Sequence, residues 1–331
     1  AAHCGAAIFD QSSFGKIGVS GPDAETFLDR VCANNMRRDP GCAIYTAMLN
    51  ERGGYESDLT ALRLERDRYR LYVGTSAIKR DLAWLRRHLQ QHERVEIEDQ
   101  TDRFAVLALM GPESGSIMTR LAATEVNELG YFRHCRARLS DIEVDAVRLS
   151  YVGEAGWELT CNASQAQQLF NKLHAAGARP AGLFAQTSMR IEKRFLAFGH
   201  DLDTDTNPFQ AGLEFTLDWN SDFIGKSALQ AQREQQPASR LVSIVFDVAD
   251  AQPLGNEPVY LDGRIIGKTT SASYCYRVGK PVAIALLESA DSGQLEGLRV
   301  DVDIARRQNA GTVSTMPAFD PEGLRMRAAT G

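Results

Sequence analysis

The chain has 331 residues, more than one hydrophobic core usually organises, so two or three compact units are expected. Hydrophobic residues make up 44% and charged residues 24%, and the formal net charge is −6, a globular composition whose lack of basic excess argues against nucleic-acid binding. Apolar runs such as "AVLALM" (105–110) are far too short to cross a bilayer and no charged-then-apolar leader opens the chain, so no membrane association and a soluble compartment are expected.

In chain order, the first recognisable unit is "FGKIGVSGPDAETFLDRV" (14–31), a short strand running through Gly-Pro-acid into an amphipathic helix. The proline suits an early helical position and the acid the positive helix end. "AIYTAMLN" (43–50) and "DLTALRLERDRYRLYVG" (58–74) have the branched and aromatic look of strands, with turns at Gly53-Gly54 and Arg66-Asp67. Between Thr75 and Gln91 the apolar residues Ile78, Leu82, Leu85 and Leu89 share one helical face. "FAVLALMGPESGSIMTRL" (104–121) then repeats the opening unit ninety residues on, Phe14 matching Phe104 and Gly21-Pro22-Asp23 matching Gly111-Pro112-Glu113. One strand-helix unit used twice explains this, and convergent capping chemistry is the plainer alternative.

A further helix is expected from Ser164, with Gln167 completing a capping box and Ala166, Leu169, Phe170 and Leu173 buried. Strands and helices without a regular βαβ rhythm indicate an α+β fold. The polar stretch "LQAQREQQPASR" (229–240) precedes a tail of short strand candidates, "LVSIVFDV", "EPVYLDG", "RIIGKTTSASY", "PVAIALL" and "LRVDVD". That pattern predicts an all-β sandwich or barrel of about ninety residues, with a domain boundary near residue 236, dividing the chain into 1–236 and 237–331.

Several chemistries are set aside. "FIGKSAL" (223–229) ends like a phosphate-binding loop, but Asn220 stands where the earlier glycine is needed, and no G-x-G-x-x-G follows a strand. His88 and His92 have a metal-compatible spacing without an evident third ligand, so no metal site is expected. The six cysteines show no C-x-x-C pair and read as plain thiols of a reducing compartment.

Three segments carry candidate site residues. In "SYVGEAGWEL" (150–159), a two-residue tip at Glu154-Ala155 would set Tyr151 opposite Glu158 on one face and Val152 opposite Trp157 on the other. The pair is then either an exposed surface pair or the wall of a site whose carboxylate accepts from an amide or amino-pyrimidine edge. In "LNERGGYESDLTALRL" (49–64), Asp58 occupies a strand start where an acid is unfavourable, explained either by turn chemistry or by function. In "SMRIEKRFLAFGHDLD" (188–203), Arg190 and Glu192 precede a Gly-His-Asp bend, and ion pairing within the fold is the ordinary reading.

Together these pieces resemble the aminomethyltransferase family, the folate-binding T-protein of the glycine cleavage system and its relatives. The match keeps its order along nearly the whole chain: "FDQSSFGKIGVSGPDAETFLDRVCAN", "LNERGGYESDL", "YVGEAGWEL", "SMRIEKRFLAFGHDLD", "TNPFQAGLEFTL" and "IGKTTSASYCYRVGKPVAIALL". "SSFGK" (12–16) and "FDPEGLRMR" (319–327) look like the folate-binding half of dimethylglycine and sarcosine dehydrogenases or oxidases. Those flavoproteins carry an FAD domain upstream, and this sequence starts about where their folate-binding half begins, so the resemblance implies a detached or separately encoded folate module, with no FAD on this chain and a flavin-containing domain or subunit as possible partner.

The resemblance implies a three-lobed cloverleaf around a central folate channel, with the β tail as third lobe. It places Asp58 as the essential carboxylate beside the reactive pterin nitrogens, Tyr151 and Glu158 on the pterin, Arg190 lining the same site, and Phe215 at an aromatic position. Where family members often have an acidic pair, this chain has Ser57-Asp58, which puts the catalytic role on Asp58 alone. The implied activity is one-carbon transfer to tetrahydrofolate, a co-substrate, forming 5,10-methylenetetrahydrofolate from the iminium or formaldehyde equivalent of an oxidised N-methyl amine such as dimethylglycine or sarcosine. The alternatives are a T-protein acting on a lipoyl-bound aminomethyl group, a folate-binding module without chemistry, and an S- or O-demethylase of the same fold. The implied location is the cytoplasm, or the mitochondrial matrix in a eukaryote.

Overall fold

The computed structural model of the chain describes residues 1–121, 126–235, 237–288 and 295–328. From the start come β1 (Ala7–Asp10), β2 (Gly15–Ser20), α1 (Ala24–Val31), β3 (Ala43–Leu49), β4 (Tyr55–Glu65), β5 (Arg68–Val73), α2 (Ile78–His88) and β6 (Glu96–Asp99). The order then repeats in β7 (Phe104–Met110), α3 (Ser114–Leu121), β8 (His134–Leu139), β9 (Ile142–Val147), β10 (Gly156–Asn162), α4 (Ala166–Ala175) and β11 (Arg179–Ala181). Helices α5 (Leu183–Glu192), α6 (Pro208–Ala211) and α7 (Lys226–Gln232) lead to the tail strands β12 (Ser239–Phe246), β13 (Pro258–Leu261), β14 (Arg264–Cys275), β15 (Lys280–Glu288), β16 (Arg299–Ile304) and β17 (Arg307–Ser314), followed by α8 (Leu324–Arg327).

The duplication extends well beyond the eighteen residues that match in sequence. The first sheet runs β3-β4-β5-β2-β6 and the second β8-β9-β10-β7-β1-β11, the same order apart from β1 inserted beside β7. Both copies turn into their first helix at a left-handed glycine, Gly21 (φ 128°) and Gly111 (φ 134°), whose carbonyls accept from Ala24 and Ser114. Only glycine takes that conformation without strain, which explains why these residues match while their neighbours diverge. The acid that follows sits at the positive helix end as expected, Asp23 being the N-cap residue of α1, but its carboxylate accepts from the backbone and side chain of Arg94 and not from the helix N–H groups.

The two sheets stack face to face with their helices outside. Ile17, Val19, Leu59, Ala61 and Leu71 pack on α1 and α2, and Leu107, Leu109, Trp157 and Leu159 on α3 and α4. Between the sheets lie Ala43, Leu62, Tyr72, Val106 and Val147, with Tyr72 hydroxyl 2.7 Å from Thr160 Oγ1 and Arg70 Nη1 2.6 Å from Asp145. β7 is therefore covered on both sides, and its uninterrupted apolar run follows from that. α2 begins at Ile78 after a 3-10 turn, with Leu82 and Leu85 buried and Ile78 and Leu89 packed at the edge of the same core. The expected capping box at Ser164 is absent: Asn162 is the cap, accepting from Ser164 N–H, and α4 starts after a 3-10 turn.

The tail closes into a barrel in the order β12-β15-β14-β13-β16-β17. Its last strand, "RQNAGTVS", was not among the expected strands because it buries only Asn309, Gly311 and Val313 and shows no apolar run. The expected boundary at residue 236 lies outside the described residues. Packing does not stop there, since Leu241, Cys275, Val282 and Ile284 of the barrel share one core with Ala47, Leu49, Tyr55, Ile191 and Leu202.

Candidate functional site

Alternation along β4 decides where its acid points. Ser57, Leu59 and Ala61 face the helices, so Asp58, Thr60 and Leu62 face the space between the sheets. Ser57 confirms the parity, its hydroxyl donating to the buried Asp81 of α2 at 2.7 Å. Burial pushes the Asp81 carboxyl up to about 7, against the Ser57 hydrogen bond. On the opposite sheet Thr160 meets Tyr72, and Glu158, two residues before it on β10, shares that inward face. The two carboxylates thus approach one space from facing sheets.

Asp58 is half-buried and accepts a hydrogen bond from Tyr45 hydroxyl at 2.8 Å. Burial pushes its carboxyl up to about 6; the Tyr45 bond opposes this, and the Asp201 carboxylate nearby adds to it. Burial and the Asp58 charge raise the Tyr45 phenol well above its ordinary range, so Tyr45 stays protonated and donates. Asp58 is therefore an ionised acceptor at neutral pH whose proton affinity lies close enough to neutrality for proton exchange. Glu158 is half-buried and hydrogen-bonded by the Gln11 side chain, and burial pushes it up to about 7. Gln11 is itself buried, and its Oε1 has no partner among the described residues.

The 150–159 segment is not a two-residue hairpin. β10 begins only at Gly156 and pairs with β7 and β9, so Glu158 lies opposite Ala108 and Val147, not Tyr151. Residues 148–155 form an irregular loop, Val152 packing with Phe9 and Met189 on the opposite side of the sheet from Trp157. Two glycines make this possible. Gly153 has φ +73°, and a Cβ on Gly156 would lie 2.3 Å from the Leu109 carbonyl. Within the loop, the Tyr151 hydroxyl donates to the Leu196 carbonyl at 2.9 Å and its ring stacks on Phe195, with centroids 6.0 Å apart. Burial raises this phenol, and the Arg190 charge opposes the rise.

Arg190 is buried and hydrogen-bonded inside the protein. Its guanidinium donates to Asp201 at 2.7 Å, Ser271 Oγ at 2.7 Å and the Phe195 carbonyl at 3.1 Å. The expected ion pairing within the fold thus forms at the Gly-His-Asp bend, between Arg190 and Asp201. Phe215 is 66% exposed, its ring 6.4 Å from that of Tyr45, which puts it at the rim on the Asp58 side. Tyr45, Gln11, Phe195 and Asp201 were not singled out in the sequence. Tyr45 alone had a local signal: the β3–β4 pairing sets Ala47 opposite Asp58, one inward position from Tyr45.

Comparison with known proteins bears on this geometry. A model of the GCVT N-terminal domain matches residues 1–221, and one of the glycine cleavage T-protein C-terminal barrel domain matches residues 240–320. The mitochondrial dimethylglycine dehydrogenase of Rattus norvegicus is 31% identical over 97% of this chain, which spans 38% of that relative's length. The aminomethyltransferase of Bacillus subtilis (strain 168) is 33% identical over 95% of this chain and 88% of its own. The crystal structure of the glycine cleavage system aminomethyltransferase T from Bartonella henselae superimposes with a TM-score of 0.86 over 97% of this chain and 88% of that one, at 24% identity, and supports the fold. With its two sheets and closed barrel matched along both segments, the chain belongs to the aminomethyltransferase (glycine cleavage T-protein) family.

Proposed function

We propose that this chain transfers a one-carbon unit to tetrahydrofolate, giving 5,10-methylenetetrahydrofolate, with Asp58 as the proton acceptor. The observation that carries the reading is a half-buried carboxylate, hydrogen-bonded by Tyr45 and raised to about 6, facing a second raised carboxylate across the space between two sheets. The residues suit a folate. Glu158 and the unpartnered Gln11 Oε1 are acceptors for amino-pyrimidine N–H groups, and Tyr151, Phe195 and Phe215 offer aromatic faces. Arg190, hydrogen-bonded to Phe195 and Asp201, acts by holding the 195–201 segment in place.

In the reaction the two folate nitrogens form two C–N bonds to the one-carbon unit and lose two N–H protons. With an iminium donor the C=N π bond and then the C–N bond to the donor amine break, the leaving amine keeping one proton and Asp58 taking the other. With a lipoyl-bound aminomethyl group the C–N and C–S bonds break, and the two protons end on the leaving ammonia and thiolate, one of them by way of Asp58. General base catalysis of this kind is typically worth ~10² to 10⁴ in rate. Two donors fit the same step. A lipoyl-bound aminomethyl group is favoured by the bacterial aminomethyltransferases, of which the chain covers 87 to 88% in the two Bacillus relatives. The iminium of an oxidised N-methyl amine, supplied by a flavin-containing partner, is favoured by the dimethylglycine dehydrogenases, matched along 97% of this chain.

The test gives the purified chain (6S)-tetrahydrofolate with either an aminomethyl-loaded lipoyl carrier protein or formaldehyde, and measures 5,10-methylenetetrahydrofolate above the uncatalysed rate. Turnover with the carrier assigns the first donor, and acceleration with formaldehyde alone the second. Folate binding without acceleration in either arm contradicts a catalytic role.

A further inference from the structure

The Gly199-His200-Asp201 bend holds a carboxylate that the transfer step does not use. Asp201 is buried and accepts hydrogen bonds from Arg190 of α5 at 2.7 Å, from Ala197 N–H of its own loop at 3.0 Å and from Thr270 Oγ1 of the barrel strand β14 at 2.5 Å. The Thr270 contact depends on an irregularity. Along β14 and β15, Thr269 pairs with Ala285 and Ser271 with Ile284, so Thr270 is an extra, unpaired residue. Consecutive residues of a regular strand point to opposite faces, and a bulge relaxes that rule. Here it lets Thr270 donate to Asp201 while the next residue, Ser271, accepts from Arg190 at 2.7 Å. One barrel bulge therefore grips both members of the ion pair.

What the pair holds is residues 195–197. Arg190 donates to the Phe195 carbonyl and Asp201 accepts from Ala197 N–H, while Tyr151 donates to the Leu196 carbonyl between them and stacks on Phe195. We propose that Asp201 is a positioning residue for the transfer reaction, clamped by the Thr270–Ser271 bulge of the barrel, and that it fixes Tyr151 and the neighbouring Asp58 side of the site through residues 195–197. The proposal rests on the assignment of Asp58 and Tyr151 to the folate site. It gives the barrel a part in the site's geometry although it supplies no group to the reaction.

Asp58 faces Tyr45 from β3, Tyr55 from its own strand, Tyr151 from the 148–155 loop and, further off, Asp81 from α2 and Asp201 from the bend. Removing the Asp201 charge leaves Arg190 uncompensated beside the site, so Asp58 should ionise at lower pH.

The experiment is a ¹³C-carboxylate NMR titration of aspartate-labelled protein, the Asp58 signal being assigned by its loss in Asp58→Asn, together with calorimetric binding of 5-formyltetrahydrofolate. The wild-type Asp58 signal is expected to titrate near 6. Asp201→Asn should lower that midpoint by about half a pH unit or more. Thr270→Val should weaken 5-formyltetrahydrofolate binding about fivefold, the scale of one lost hydrogen bond, and Thr270→Ser, which keeps the hydroxyl, should restore it. If Asp201→Asn does not fold, the Thr270 pair decides the matter. An unchanged Asp58 midpoint in Asp201→Asn, with binding unchanged in Thr270→Val, overturns the proposal. So does weakening that Thr270→Ser fails to rescue. Full turnover in Asp58→Asn alongside a Thr270 effect would instead overturn the role of Asp58 and leave the clamp standing.

Discussion

At the scale of single residues the chain places an acid where a strand would prefer none. Asp58 has a carboxyl raised from 3.8 to about 6, so the folded state holds its proton more tightly than the unfolded chain does. Between those values the native state binds more protons, and stability falls as pH rises through that window. The cost is at most about 3 kcal/mol and is reduced by the partial exposure of the side chain. Asp58→Asn removes it, so the variant should melt higher than the wild type at pH 7.5, with the difference vanishing below pH 4, as read by scanning calorimetry; a lower melting temperature at pH 7.5 would contradict the assignment. Asp58 could be singled out in the sequence by its place after Gly53-Gly54 and by the family resemblance, although β4 begins at Tyr55 and Asp58 lies within the strand and not at its start. Gln11 and Asp201 could not, because Gln11 meets Glu158 and Asp201 meets Thr270, both far away in the chain, and only the fold brings Asp201 back to Arg190.

At the scale of elements, strands with local patterns were readable and loops held by distant partners were not. The β2–α1 and β7–α3 units, the α2 face and five tail strands follow from apolar spacing. The 148–155 loop does not, since its path is set by Lys193, whose side chain lies where a Cβ on Gly153 would be, and by β7, which leaves Gly156 no room for a side chain. Gly156→Ala should therefore push β10 off β7 and cost about 2 to 3 kcal/mol, seen as a melting temperature lower by roughly 5 °C and a loss of folate affinity. A variant that melts and binds like the wild type would mean that the strand pair tolerates the displacement.

At the scale of the whole molecule, the chain is one strand-helix unit duplicated, faced against itself, and closed by a barrel. The internal repeat was visible only in its first strand-helix unit, at Phe14 and Phe104 and at the Gly-Pro-acid turns, because the remaining positions must merely stay apolar on the correct face, and many sequences do that. Both chain ends return to the site loop. Buried Glu154 receives His3 from the N-terminal segment, Arg277 from the barrel and Arg325 of α8, while Lys193 pairs with Asp320. Glu154→Gln leaves those arginines without their counter-charge and should lower the melting temperature by roughly 5 to 10 °C, as breaking a buried ion pair does. An unchanged melting curve would show that the termini are held by other means.

Asp58 as the group that takes the proton is the centre of the proposed reaction. The most direct measurement is the turnover of Asp58→Asn in 5,10-methylenetetrahydrofolate formation, with 5-formyltetrahydrofolate affinity measured on the same preparation. Affinity within about threefold of the wild type and turnover reduced by ~10² or more are predicted, together with a wild-type acid limb near pH 6 that the variant lacks. Wild-type turnover in the variant would contradict it.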